Sequence, residues 1–182
     1  MKEIRIHGRG GQGAVVAARI MVIAFAREGK WGSGFPTFGA ERRGAPVMVF
    51  VRFDDRPIRE RSRVYYPDCL MVIDPRLINS TSIFDGIKLG GVLVLNTAEL
   101  VRERPHENLR IVGFVDATKI GLEEVGMPIT NTCMLGAFAR TTGWVGLDSI
   151  ISSLEEYFSG DILNKNKKCV ERGFEETEVL KF

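Results

Sequence analysis

Gly8, Gly10 and Gly13 stand at G-x-G-x-x-G spacing in the run Gly8-Arg9-Gly10-Gly11-Gln12-Gly13, just before an alanine-rich segment. Glycines so spaced permit a tight turn and let backbone N–H groups approach a phosphate at a helix N-terminus. Dinucleotide binding also needs a second strand ending in an acidic residue about twenty residues on. At that place the chain reads Gly29-Lys30-Trp31-Gly32-Ser33-Gly34, so a nicotinamide or flavin dinucleotide is the weaker reading. A phosphate-bearing ligand and a tight turn that holds nothing stay as the two alternatives.

A second group lies in Gly39-Ala40-Glu41-Arg42-Arg43-Gly44-Ala45-Pro46. The forked guanidinium groups of Arg42 and Arg43 suit phosphate or carboxylate, and Glu41 is placed to orient them. Charge runs are often solvated loops, but the flanking Phe35, Phe38 and Pro46 argue for a packed loop with a binding or interface role. A third group is Asn131-Thr132-Cys133-Met134-Leu135-Gly136-Ala137. Asn131 or Thr132 can cap a helix there and offer polar groups to a ligand, while Gly136 and Ala137 suit close helix packing. His7 and His106 are isolated, with no nucleophile–base constellation and no catalytic residue to assign. His7 reads as a strand-end residue making a local hydrogen bond. Cys69, Cys133 and Cys169 are too far apart for an iron–sulfur or zinc site, so no metal is expected on this chain.

These groups must be positioned by regular elements. Glu3 to His7 reads as a short strand and Ala14 to Arg27 as a buried helix that Gly29 stops. Trp31 to Pro46 has no clear period and reads as a long loop. Val47 to Phe53 reads as a strand, Asp54 to Pro57 as a turn, and Ile58 as the start of a returning antiparallel strand. Cys69–Ile73, Gly91–Leu95 and Ile111–Val115 are short apolar runs, each ending in a polar residue. Alternating with helical segments, they predict parallel strands of an α/β sheet, with the polar ends lining the crevice where such sheets bind ligands. Helices are expected at Asn131–Arg140 and Leu147–Phe158, and a last one beyond Ile162 anchored by Leu163, Val170, Phe174 and Val179.

The 182 residues fit one domain, and 45% apolar with 26% charged residues is a globular composition. A net charge of +2 does not imply nucleic acid, yet Arg42, Arg43, Arg52, Arg56, Arg59, Arg61 and Arg63 crowd one stretch and suggest a local anionic partner. Met1-Lys2-Glu3 leads straight into a strand-like segment, and the longest apolar stretch, Ile20 to Ala26, is too short for a bilayer. A soluble, cytoplasmic chain is expected, with no membrane partner.

Three segments in this order resemble the gamma subunit of 2-oxoacid:ferredoxin oxidoreductases. They are Ile4 to Gly13, Phe35 to Pro46 and Pro128 to Ala137, and Asp116-Ala117-Thr118 and Pro57-Ile58-Arg59 also fit. The Phe-Pro-x-Phe-Gly-x-Glu-Arg-Arg-Gly form is most similar to the pyruvate branch. The resemblance implies one gamma domain over 1–182, folded as a Rossmann-like three-layer α/β sandwich with a mostly parallel sheet and an antiparallel hairpin. It implies a complex with alpha, beta and delta subunits that converts a 2-oxoacid and coenzyme A to acyl-CoA and carbon dioxide, passing electrons to ferredoxin. Thiamine diphosphate, magnesium and 4Fe-4S clusters would sit on the other subunits. This chain would be inactive alone, and an orphaned interface would favour a homodimer. The site residues expected to receive coenzyme A are Gly8, Gly10, Gly11, Gln12, Gly13, Glu41, Arg42, Arg43, Asn131 and Thr132. The alternative is a purely structural interaction module that coenzyme A never touches.

Overall fold

The computed structural model describes residues 1–37 and 43–182. A seven-stranded sheet runs in the order β2-β3-β1-β4-β5-β6-β7. Its middle is parallel: β1 (Lys2–Arg9), β4 (Cys69–Val72), β5 (Gly91–Asn96) and β6 (Leu109–Val115). Antiparallel strands flank it, with β3 (Pro46–Asp54) and β2 (Trp31–Pro36) on one side and β7 (Glu178–Lys181) on the other. The strands β4, β5 and β6 read as largely apolar runs because both faces of the sheet centre are covered.

Side-chain alternation divides the core in two. Ile4, Ile6, Val49, Val51, Cys69, Met71, Val92 and Val94 face one side, where helices α1 (Ala14–Arg27), α2 (Ala117–Val125), α3 (Asn131–Thr142), α4 (Leu147–Ser153) and α5 (Gly160–Glu176) pack. Leu70, Val72, Leu93, Leu95, Val112 and Phe114 face the other side. That face is covered by two short 3-10 turns, Pro75–Asn79 and Thr81–Phe84, and by neighbouring loop residues such as Ile87 and Val101. All five α-helices thus lie on one side of the sheet. None of the described helices is long and apolar enough to cross a membrane.

The first helix spans Ala14–Arg27 as its pattern predicts. Ala14, Ala17, Ala18, Met21, Ala24 and Phe25 recur at helical spacing and are buried. Phe25 stacks on Phe53 at 4.0 Å between ring centroids, and burying such a ring contributes about 1.5–3 kcal/mol.

Three expectations need correction. The stretch expected to be loop begins with a strand, β2, because Gly32 and Gly34 lie against α1: a Cβ on Gly32 would come within 3.1 Å of the Val22 carbonyl oxygen. Close approach to a helix, rather than turn chemistry, accounts for those glycines. The antiparallel partners of β3 are therefore β1 and β2, and the chain after Ile58 forms no strand. It is held instead by Arg52, a buried side chain whose Nη1 donates to the Ser62 carbonyl (2.7 Å) and whose Nε donates to Glu3 (3.0 Å). Finally, the tail forms α5 and then β7, with Val179 on the strand rather than on a helix. Thr177 ends α5 in extended geometry, and the β-branched side chains of Thr177 and Val179 favour the strand that closes on β6.

Helices α3 and α5 cross at glycine. A Cβ on Gly136 would lie 2.0 Å from the Val170 carbonyl oxygen, and one on Gly173 would lie 2.1 Å from the Cys133 carbonyl oxygen. The crossing buries Cys133 and Cys169, and burial pushes both thiols above their ordinary range, Cys169 to about 11. Replacing Gly136 with alanine forces the two backbones apart, and thermal unfolding should report a loss of about 3 kcal/mol. The same substitution at Gly90, where a Cβ meets nothing within 4 Å but φ is +79°, should cost only about 1 kcal/mol.

Candidate functional site

The C-terminal ends of β1, β4 and β5 open onto a cleft of about 660 Å³. Its floor is the turn after β1. Gly11 and Gly13 hold φ of +91° and +75°, which only glycine adopts without strain, and they bring the chain directly into α1. The Gly10 N–H donates to the Ala45 carbonyl (2.9 Å) and the Gly44 N–H to the Gly10 carbonyl (3.1 Å), so the turn is tied to the segment that carries Arg43.

A buried carboxylate fixes this turn. Asp74, at the end of β4, has a side chain 1% exposed. It accepts hydrogen bonds from Arg9 Nε (3.1 Å), Gln12 Nε2 (3.0 Å) and the backbone N–H of Arg76 (3.0 Å), and from Arg76 Nε and Nη2. Gln12 closes the circle by accepting from the Arg9 N–H (2.7 Å). The Arg76 guanidinium, aided by that backbone bond and by Gln12, holds the Asp74 carboxyl down to about 2.

Two helices begin at the cleft without a capping side chain. Gly13 precedes α1 and Thr130 precedes α3; neither makes a side-chain cap, and neither helix has an acidic residue in its first turn. Their leading N–H groups have no carbonyl in their own helix to bond, and both dipoles present a positive end to the cleft. By contrast α2 is capped by Asp116, which accepts from the Lys119 N–H (2.9 Å). Asn131 lies between the two uncapped ends. Its Nδ2 donates to the Gly13 carbonyl (3.3 Å), and its buried Oδ1 has no hydrogen-bond partner among the described residues. A buried acceptor without a protein partner is costly, so the position favours a ligand or water that donates. A Cβ at Gly13 would fall 2.4 Å from Asn131 Nδ2, which fixes Gly13 by contact as well as by φ. Arg43 and the exposed Arg76 add positive charge, while Val16, Pro128, Ile129, Phe158 and Ile162 form an apolar wall.

The residues singled out from sequence fall into three sets. Gly10, Gly11, Gln12, Gly13, Arg43 and Asn131 all line the cleft. Gly8 lies within β1, and Thr132 is fully buried, its hydroxyl donating to Asn166 Oδ1 (2.8 Å) between α3 and α5; neither lines the cleft. Glu41 and Arg42 lie outside the described residues. The expected cap from Asn131 or Thr132 is not made, because one side chain reaches α1 and the other α5. Gln12 is committed to Asp74 and Arg9, which makes it a brace for the turn. His7 does not line the cleft. It accepts from Arg5 Nε (3.0 Å), and burial with that guanidinium lowers it to about 3, so its imidazole is neutral with the proton on Nδ1.

Sequence reasoning missed Asp74 and Arg76 as site residues. The available signal was a carboxylate at the end of a buried strand, followed by proline and arginine. The apolar wall left no local signal, since it is assembled from segments far apart in the chain.

A family model described as pyruvate ferredoxin/flavodoxin oxidoreductase matches residues 3–176. The chain is 48% identical over 182 residues to the pyruvate/ketoisovalerate oxidoreductases common subunit gamma of Thermococcus kodakarensis, covering 98% of each chain. It is 50% identical over 175 residues to the pyruvate synthase subunit PorC of Methanothermobacter marburgensis, covering 96% of this chain and 97% of that one. Among solved structures, the pyruvate oxidoreductase subunit PORC of Thermotoga maritima superposes with a TM-score of 0.86 at 37% identity, covering 99% of this chain and 98% of that one.

The Asp74 network makes a pH prediction. A carboxyl held near 2 when folded, against 3.8 unperturbed, contributes stability that is complete above about pH 4 and lost as pH falls through about 2. Asp74→Asn should therefore destabilise the chain by about 2 kcal/mol or more at pH 7, with the gap to wild type narrowing below pH 4 in acid titrations followed by circular dichroism. A gap independent of pH would show that the charge of Asp74 does not hold the turn.

Proposed function

The chain belongs to the pyruvate ferredoxin/flavodoxin oxidoreductase family, and from that premise we propose that it works as the gamma subunit of a 2-oxoacid:ferredoxin oxidoreductase complex whose coenzyme A it helps to hold. The complex converts a 2-oxoacid, pyruvate foremost, and coenzyme A to acyl-CoA and carbon dioxide, passing two electrons to ferredoxin. It runs in reverse as a synthase. Alpha, beta and delta subunits are its companions in the cytoplasm, and they carry the thiamine diphosphate, magnesium and 4Fe-4S clusters. The chain contributes a single α/β domain and no catalytic group of its own.

The observation that carries the coenzyme A reading is the convergence of two uncapped helix N-termini on one cleft flanked by Arg43 and Arg76. Uncapped N-termini attract anions through their N–H groups and dipoles, and arginine forks strengthen the hold on phosphate. Coenzyme A joins phosphates to a long pantetheine arm, and the wall formed by Pro128, Ile129, Phe158 and Ile162 gives that arm an apolar surface to lie along. In this reading Gly10, Gly11 and Gly13 let the backbone approach the phosphates, Gln12 keeps the turn open, and Asn131 accepts from an N–H or O–H of the ligand.

Arg43→Ala in the assembled complex should raise the KM for coenzyme A by about tenfold, the effect of one charge-assisted hydrogen bond, and leave the KM for the 2-oxoacid unchanged. An unchanged KM for coenzyme A, with assembly intact by size-exclusion chromatography, would remove Arg43 from the site. If the KM for coenzyme A is also unchanged when Gly11 and Asn131 are altered in turn, the interaction-module reading stands instead.

A further inference from the structure

Between Asp54 and Pro67 the chain forms no strand or helix, and Arg59 to Arg63 are exposed throughout. Val64 is 2% exposed and Ile58 is half-buried. Glu60 reaches back to within 3.8 Å of Arg52 Nη2, and the Ser62 hydroxyl donates to Glu60 (2.8 Å). The residues between them, Arg59, Arg61, Arg63 and Tyr65, are all exposed, and Tyr66 follows at 67%.

The fixture is Arg52. Its guanidinium is buried at 1% exposure, pairs with Glu3, and donates to the carbonyls of both Ser62 (2.7 Å) and Arg63 (3.3 Å). A buried cation bound to backbone carbonyls is an expensive way to secure a surface loop. Two further contacts hold the end of the segment: the Lys88 N–H donates to the Pro67 carbonyl (3.1 Å), and Gly86, at φ +74°, sits against the Tyr65 carbonyl. The segment therefore presents a set surface.

The outward arginines stand apart from the ion-paired cations of the chain. Arg9, Arg27, Arg172, Lys30, Lys88, Lys165 and Lys167 each pair with a carboxylate. Among the described residues, the side chains of Arg56, Arg59, Arg61 and Arg63 have no such partner. Of the acids nearby, Asp54 pairs with the N-terminal ammonium (2.6 Å) and Glu60 is engaged by Arg52 and Ser62, while Asp55 is exposed.

We propose that Arg59, Arg61, Arg63, Tyr65 and Tyr66 form a docking strip for an acidic surface on another polypeptide of the same complex. Arginine and tyrosine are the side chains enriched where binding energy concentrates in protein interfaces. Positive charge without an internal partner calls for carboxylates opposite, and a pinned backbone lowers the ordering cost of binding. Nucleic acid fits less well, since the whole chain carries a net charge of only +2. The proposal rests on the gamma-subunit reading for its partner and is independent of the coenzyme A cleft.

The test compares full-length wild type with three variants, each co-expressed with the alpha, beta and delta chains: Arg59→Glu/Arg61→Glu/Arg63→Glu, the matching Lys triple, and Tyr65→Ser/Tyr66→Ser. Retention in the complex is measured against salt concentration, and thermal melts check folding. The Glu triple should lose about tenfold or more in affinity at low salt, and the Lys triple should keep most of it. Tyr65→Ser/Tyr66→Ser should weaken binding with little change in its salt dependence. If the Glu triple does not fold, the Lys triple and the tyrosine pair decide. The proposal is overturned if the variants assemble as wild type does across the salt range, or if the strip binds a DNA duplex while assembly is unaffected. Wild type that joins none of the three chains sinks the gamma-subunit reading itself.

Discussion

The geometry of the cleft depends on one buried carboxylate. Asp74 is the only acid at the point where the glycine turn, the end of β4 and the following 3-10 turn meet, among the described residues lining the cleft. Its bonds to Arg9 and Gln12 hold the turn after β1, and its bonds to Arg76 set the opposite rim. A carboxylate at 1% exposure is tolerable only when its lone pairs are filled, and here they are filled by the segments that must be held together. Within this frame the positive helix ends, Arg43 and Arg76 keep their relation to one another.

The helix layer meets that frame through glycine. Gly136 and Gly173 let α3 and α5 approach until backbone touches side-chain positions, and Thr132 bonds Asn166 inside the crossing. Because α3 begins at the cleft, this packing also aims its N-terminus. Asn131 then links α3 to α1 through the Gly13 carbonyl, so the two uncapped ends are positioned as one unit. Packing far from the cleft therefore decides what the cleft can attract.

Arginine serves two opposite purposes on the sheet face that carries no α-helix. Arg5 and Arg52 are buried and spend their donors on carbonyls of irregular segments: Arg5 Nη2 bonds the Ile83 (2.7 Å) and Asp85 (2.8 Å) carbonyls, as Arg52 bonds those of Ser62 and Arg63. These internal clamps cover the sheet face that has no helices, doing there what a helix layer would otherwise do. Arg59, Arg61 and Arg63 stand in solvent on a segment that one of the clamps holds.

Several features were legible in the sequence because they follow from local rules. Ala14–Arg27 shows its helical period, Cys69, Gly91 and Ile111 open apolar runs that only buried strands accommodate, and glycine spacing marks the turn after β1. Four of the ten candidate residues, Gly10 to Gly13, line the cleft for the same reason, since glycine-rich strand ends gather at the C-terminal edge of a parallel sheet, while Arg43 and Asn131 reach it from just before β3 and from the start of α3. What the sequence could not decide involves partners distant in the chain. β2 was hidden because its glycines answer to Val22 of α1, and β7 because a short strand is recognised only beside β6. The brace of Gln12 on Asp74, the unpartnered oxygen of Asn131 and the clamp of Arg52 on Ser62 have the same character. Each is a hydrogen bond, or the lack of one, between groups that only the folded chain brings within reach.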